Sequence, residues 1–539
     1  MRTAALALTL LLAGGCERAR TPAPRSPQPR AATPVAKVRP PPKRRPGALD
    51  EATRLAVFDD LVAQIRRHHE FAAPAFTNLG RDWDADVAEL RDRMADATSS
   101  TQVLRTLDEL QNSLLDLHLQ FAPADSDDPR HVLLLPLRFD VEPGDEKGSW
   151  QLYVTQVPPE YAERVHVGDL LVSVDGIEVP ALLREHRFSN AFNQPRAAVE
   201  LIASHLVQRR WTYWSDLERK TVKMVVAPRS GGAPVELEVE WTEPPDEPDA
   251  LDNGLSLALE CDGVPPRDYG PYTLAAIGAR VCIYTSRAKP YARFPIVRAH
   301  SFLYVENERL VRLDYEIIRK ALAAVPRVDG VLLDLRDNHG GNNPHVFLDW
   351  WAPAPYDNMT VSLKLDPELA KLEGSLDRAL WSSTVAQEYR ERQKRGETTW
   401  EYPFLCNNDT CDEGNRRTPK HRVTKAPVAL MVGPLCISSC DTFAQTFSRH
   451  DFGPLVGAPT AAAYTVVRMP LTAQTKDGRV LGTLHVALSR SRIGDGPWLE
   501  AVPLPIDVPL APTFATRGQY DRMLVDAGIA ALRERPRRR

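Results

Sequence analysis

Residues from about 254 onward predict an α/β fold, because short, nearly continuous apolar runs alternate there with amphipathic helical stretches. Two further patterns place other elements ahead of that core. Apolar residues recur at spacings of three and four between about 48 and 122, and strand-type alternation dominates between about 131 and 243. The chain has 539 residues, which allows about three or four domains at roughly 100–200 residues each.

The segments justify this order one by one. Residues 1–16 begin with Arg2, continue with an apolar run over 4–13, and end in Ala13-Gly14-Gly15-Cys16. The run is too short to span a bilayer but suits a signal peptide. Its end resembles a bacterial lipobox. That implies lipidation at Cys16 and a lipid-anchored address in the bacterial cell envelope, facing the periplasm. Residues 17–47 read as a tether. The stretch 21–47 alone holds nine prolines, seven Lys/Arg and no acid, and proline's fixed φ and missing N–H keep such a stretch extended.

From 48 to 125, Leu55, Phe58, Val62 and Ile65 share one helical face. Val103, Leu107, Leu110 and Leu114 share another, and 84–96 is a third candidate helix between them. From 131 to 243, the runs 132–141 and 150–157 are β-rich, and 167–179 sets two strands around an Asp175-Gly176 turn. That last segment, VGDLLVSVDGIEV, resembles the signature of bacterial PDZ domains, with 183–218 as an insertion. The resemblance implies capture of a peptide by strand addition, its terminal carboxylate held at the loop 135–139. From 254 to 515, strands are expected at 279–286, 294–305, 330–336, 426–433 and 453–459, with helices such as 315–325 and 441–450 between them. Residues 516–539 read as a closing helix and a basic tail.

Composition narrows the function. Apolar residues make up 43% and charged residues 26%, which excludes a fibre or a wholly disordered chain. The net charge of −4 averages a basic start with a body that carries −13 beyond residue 47. So acidic a body is a poor nucleic-acid binder. With Cys16 as the lipid carrier, six of the seven cysteines remain, and an oxidising compartment lets them pair. Cys406 and Cys411 are close in sequence, as are Cys436 and Cys440. A zinc site from these four is the alternative, but their spacings miss the two-residue knuckle. No metal is assigned, and the connectivity stays open.

Two stretches carry chemistry. LLDLRDNHGG (332–341) ends an apolar strand in Gly340-Gly341, where glycines let backbone approach closely and expose N–H groups, as an oxyanion hole requires. In 426–447 a buried strand runs into Ser438-Ser439 and then a helix from about Asp441. Such a turn presents a serine sharply, and the helix N-terminus favours negative charge. Read alone, the same residues are ordinary helix caps.

Their order resembles the C-terminal processing peptidase and tricorn-core family over about 50–510. Asp334, Leu335, Arg336, Asn338, Gly340 and Gly341 match its D-L-R-x-N-x-G-G strand end. Ser438-Ser439-Cys440-Asp441 matches S-A-x-E with Asp for Glu, and Val456-Gly457 with Thr460 matches V-G-x-x-T. The lysine that serves as base in the processing peptidases would stand at Ala463, so a Ser–Lys dyad is not available there. The tricorn-like branch is similar in another way. Its histidine precedes the PDZ-like domain, where this chain has Asp116-Leu117-His118, and its orienting acid comes late, at Glu500, in an element that here lacks the family's Asn and Gly.

The resemblance implies a ClpP/crotonase-like β/α spiral core, no cofactor, and a serine endopeptidase acting on envelope proteins or peptides, probed by their C-termini. Ser438 is then the nucleophile, His118 the base and Glu500 the orienting acid, with oxyanion donors from Ser439 and from Gly340 or Gly341. The absent lysine keeps a catalytically inactive, peptide-binding lipoprotein as the alternative. Acyl-CoA chemistry on the same core fits an envelope address poorly. Asp334 and Arg336 are expected to pair at the strand end, and His339 to be a loop residue.

Overall fold

The computed structural model describes residues 49–69, 80–124, 133–214, 216–243, 267–304, 308–342, 344–371, 383–404, 415–499, 501–502 and 504–535. The signal-peptide and tether readings, Cys16, Cys406, Cys411 and Glu500 lie outside the described residues.

Among the described residues, the first helices are Glu51–His68, Trp83–Asp96 and Ser100–Asn112. Each starts at a side-chain cap. Asp50 accepts the Thr53 N–H and Asp82 accepts those of Asp84 and Ala85, while Ser99 and Gln102 cap each other reciprocally; such caps satisfy N–H groups that have no partner within the helix. The apolar faces bury Phe58, Leu61, Leu90, Leu107 and Leu110 completely. They do so against the strands Arg468–Gln474 and Val480–Ala487, whose Leu471, Leu484 and Val486 belong to the same hydrophobic core. Gln111 ties the third helix to His485, donating to its carbonyl at 2.9 Å. The helices are therefore a cap on a late part of the chain, and this carries residues 113–122 to the core.

An antiparallel sheet follows, in the order Arg138–Pro143, Trp150–Gln156, Leu170–Val174, Thr221–Ala227, Val235–Glu240. The Asp175-Gly176 turn forms the hairpin its sequence predicts, with Val174 paired to Ile177 and both turn residues at positive φ. Within 179–206 lie two helices, Val179–Glu185 and Pro195–Leu206. The second buries Ile202 and Leu206 with Val141 and Leu152 of the sheet.

The core is a seven-stranded sheet. Val508–Pro509, Leu455–Gly457, Val428–Val432, Val331–Asp334 and Ile296–Ala299 run parallel, and Val281–Thr285 and Thr273–Ile277 close it antiparallel. Alternate residues serve opposite faces, as strand geometry demands. Val331, Leu333, Leu430 and Val432 pack with Ile318, Phe443 and Phe447, whereas Leu332, Ala429 and Met431 pack with Leu524, Val525 and Ile529. Both faces are covered by helices, which is why these strands read as unbroken apolar runs. The fold is thus α/β with N-terminal helices. Some boundaries differ from those expected. The helix read at 315–325 spans Glu308–Ala323, and the run 294–305 is strand only over Ile296–Ala299.

The central strands Val331–Asp334 and Val428–Val432 pair in parallel, with Asp334 opposite Met431. The loops that follow them, one holding Gly340-Gly341 and the other Ser438, therefore leave the same edge of the sheet, where open α/β sheets place their ligands.

Candidate active site

The strand Val428–Val432 feeds the helix Ser439–Arg449 through a tight turn whose last residue is Ser438. Ser438 has φ 61° and ψ −118°, a conformation costly for any residue with a side chain. Four contacts hold it there. The Ser438 N–H donates to Asp441 Oδ2 at 2.9 Å, and its carbonyl takes the Thr442 N–H at 3.1 Å. The Ile437 N–H donates to Asn338 O at 3.1 Å. Cys436 and Cys440 are joined by a disulfide that brackets the turn, with Cα atoms 5.1 Å apart. Cys282 is disulfide-bonded as well.

The glycine loop lies directly against this turn. A Cβ on Gly340 would come within 2.7 Å of Ile437 O and 2.9 Å of Ser439 N, and one on Gly341 within 2.2 Å of Leu303 N. Both positions, at φ 88° and 144°, exclude a side chain. Buried Asn338 organises the loop, accepting the Gly340 N–H at 2.8 Å and donating to Ala299 O at 3.0 Å. The two serines are told apart by their partners, because the Ser439 hydroxyl donates to Gly341 O. Among the described residues, the N–H groups of Ser439 and Gly341 donate to no protein acceptor. This corrects one expectation, since the Gly340 N–H is already engaged and of the two glycines Gly341 is the available donor.

Behind the turn, Asp441 gathers three backbone donors. Besides Ser438 it accepts the Ala462 N–H at 2.9 Å and the Ala463 N–H at 3.2 Å. Burial pushes its carboxyl up to about 7, while the Thr460 hydroxyl, these N–H groups and nearby His118 pull the other way. The segment that stands where a lysine base would be is thus pinned by Asp441. Ala461 and Ala463 are buried in an apolar cluster with Ile437, Phe192 and Ala197, against which Leu117 packs.

Leu117 brings its neighbour His118 to the same place. His118 takes a turn in which its N–H donates to Asp116 Oδ1 at 2.8 Å and its ring Nδ1 lies 3.2 Å from the same oxygen. Burial opposes the charge on Asp116, yet His118 and the Thr465 hydroxyl outweigh it and hold the carboxyl below its usual range. Leu115, Ser438, Ala462 and Ala501 all have positive φ. Non-glycine strain is concentrated at these converging segments, as it is where geometry serves function. The turn that holds His118 thus packs, through Leu117, against the cluster containing Ile437, with His118 near the Asp441 carboxyl. The late acid, Glu500, is outside the described residues, and among the described residues the carboxylate at the His118 ring is Asp116. Its signal was present in the sequence as the first residue of Asp116-Leu117-His118.

The remaining candidates fall outside this centre. Asp334 and Arg336 pair as expected, at 2.6 Å and buried, with Tyr269 donating to Asp334 and Arg336 reaching Asp521. Burial disfavours the charge on Asp334, but Arg336 and Arg267 keep its carboxyl far below the ordinary range. His339 is a loop residue whose pKa burial lowers. In the loop 135–139, the Leu135 N–H donates to Val207 O at 2.9 Å and the Arg138 guanidinium to Leu135 O at 2.6 Å, so these groups are not available to a peptide carboxylate. Among the described residues no cluster of three or more His, Cys, Asp or Glu is arranged to hold a metal ion.

The site so built is a strained serine at a strand-to-helix turn, facing a glycine loop on a parallel sheet. Residues 296–501 match the model of peptidase family S41. The fold is similar to that of mature CPAF complexed with lactacystin, with a TM-score of 0.65 at 14% identity, covering 89% of this chain and 99% of that one. A second structure of mature CPAF gives 0.64 at 14%, covering 89% and 98%. No curated protein sequence matches the chain.

Proposed function

We propose that this protein is a serine endopeptidase of the S41 type in which Ser438 is the nucleophile and His118 the general base. The observation that carries the reading is the turn itself. It holds Ser438 in a strained, half-buried position beside two N–H groups without protein acceptors, while the neighbouring Ser439 hydroxyl is engaged. In the proposed reaction Ser438 Oγ attacks a peptide carbonyl, and His118 Nε2 takes its proton and returns it to the leaving amine. The Ser439 and Gly341 N–H groups receive the oxyanion. Removing one such donor typically costs about 3–4 kcal/mol of transition-state stabilisation. No lysine is needed, and the buried alanines at 461–463 leave no room for one.

The proposed substrates are envelope proteins or peptides, captured through their C-termini by strand addition along Arg138–Pro143, an edge of the antiparallel sheet beside the helix Pro195–Leu206. An envelope address, with a lipid anchor at Cys16, is supported by the lipobox-like start and by the Cys436–Cys440 disulfide, since such bonds persist in oxidising compartments.

Full-length protein treated with a fluorophosphonate probe is expected to be labelled at Ser438. Ser438→Ala should abolish labelling, and His118→Ala should slow it by roughly a thousandfold or more. Wild-type labelling no faster than that of Ser438→Ala would favour the inactive, peptide-binding reading instead.

A further inference from the structure

We infer that Asp116, two residues before His118 in the same turn, is the positioning residue that sets the tautomer and direction of the His118 ring. This deepens the reading of Ser438 and His118 given above and rests on it.

The geometry is local. One Asp116 oxygen accepts the His118 backbone N–H at 2.8 Å and lies 3.2 Å from ring Nδ1. An ionised carboxylate only accepts, so the shared proton sits on Nδ1 and the lone pair is left on Nε2, as a general base requires. The turn that makes this possible is built for it. Leu115 enters at φ 56°, the Leu119 N–H closes on Asp116 O at 3.0 Å, and the Arg468 guanidinium donates to His118 O. Backbone and ring are therefore oriented by the same carboxylate.

Asp116 is itself supported from behind. It shares a cavity of about 20 Å³ with His69, Thr465, Ser489 and Ala462. That volume admits about one water molecule, so the cavity is no substrate subsite. His69 Nδ1 accepts the Ala487 N–H at 2.9 Å, which places the His69 proton on Nε2. Burial drives the His69 pKa down to about 4, so its imidazole is neutral near pH 7 and does not neutralise the carboxylate. Arg468 is the cation facing Asp116. The negative charge of Asp116, shared with Arg468, faces the imidazolium that forms on His118 when Ser438 loses its proton.

The test uses the full chain and the rate of fluorophosphonate labelling at Ser438, followed from pH 5 to 9 with Ser438→Ala as the blank. Asp116→Ala removes the one oxygen that holds both the backbone N–H and Nδ1, so neither the tautomer nor the direction of the ring is set, and labelling is expected to fall roughly a thousandfold or more. Asp116→Asn keeps an acceptor oxygen there without the charge and should fall between Asp116→Ala and wild type, and Asp116→Glu should restore part of the rate. Asp116→Ala within tenfold of wild type overturns the inference while leaving the peptidase reading intact. Should Asp116→Ala fail to fold, Asp116→Asn decides: labelling equal to wild type overturns the proposal, and a loss of tenfold or more supports it. Absence of wild-type labelling above the blank is a failure of the peptidase reading itself.

Discussion

Asp441 joins the two halves of the serine turn, since one carboxylate binds the N–H groups of Ser438, Ala462 and Ala463. Burial raises its pKa from the ordinary 3.8 to about 7. The unfolded carboxyl loses its proton near pH 4 and the folded one near pH 7, so folding takes up a proton between these values. The stability that this group contributes through its protonated form is fully present below about pH 4. It declines as pH rises towards 7 and is constant above. The melting temperature of wild type relative to Asp441→Asn is therefore expected to fall between pH 4 and 7 and then level off. A difference that is flat across this range contradicts the assignment.

The helix Ser439–Arg449 is the element that aims the serine, and its first turn is fastened twice, by Asp441 and by the Cys436–Cys440 bridge. Both cysteines are fully buried, so mild reductant should leave labelling unchanged over minutes. Replacing both by serine removes a constraint on a very short loop, which chain-entropy arguments put at about 2 kcal/mol. The variant should show a lower urea midpoint and slower labelling at Ser438. An unchanged midpoint would show that Asp441 alone holds the turn. At this scale the sequence was readable where one element carried a strong period. The face Phe58, Val62 and Ile65 and the runs 330–336 and 426–433 became the expected helix and strands because each buries its own apolar side. The helices Val179–Glu185 and Pro195–Leu206 fall where the sequence was read only as strand and insertion, and each carries a proline in its first turn, where proline is tolerated.

At the scale of the molecule, the segment 510–519 fastens the antiparallel sheet to the core. The Phe514 ring stands edge-on to Tyr153 at 5.4 Å and under the Arg229 guanidinium at 4.6 Å, and its N–H donates to Glu142 Oε2 at 3.0 Å. Gly168, from the segment that resembles a PDZ signature, makes room for it, since a Cβ there would lie 2.3 Å from the ring. Arg517 adds an ion pair to Asp140 at 3.0 Å. Phe514→Ala should destabilise the protein by about 1–3 kcal/mol and make 510–519 markedly more sensitive to limited proteolysis. Cleavage rates equal to wild type would show that the sheet is held elsewhere.

By itself the sequence determined the α/β class, the order of the segments and the serine turn, because apolar periodicity and short motifs are properties of neighbouring residues. It also determined that no lysine stands at 463. Only the tertiary structure decided that the helices Glu51–His68 to Ser100–Asn112 lie on strands some 370 residues later, that Gly341 and not Gly340 has its N–H available, and that an Asp116 oxygen lies at the His118 ring. Each of those outcomes is a choice among partners equally allowed by local chemistry, and it is made by burial, which selects the arrangement that leaves the fewest polar groups without a hydrogen bond.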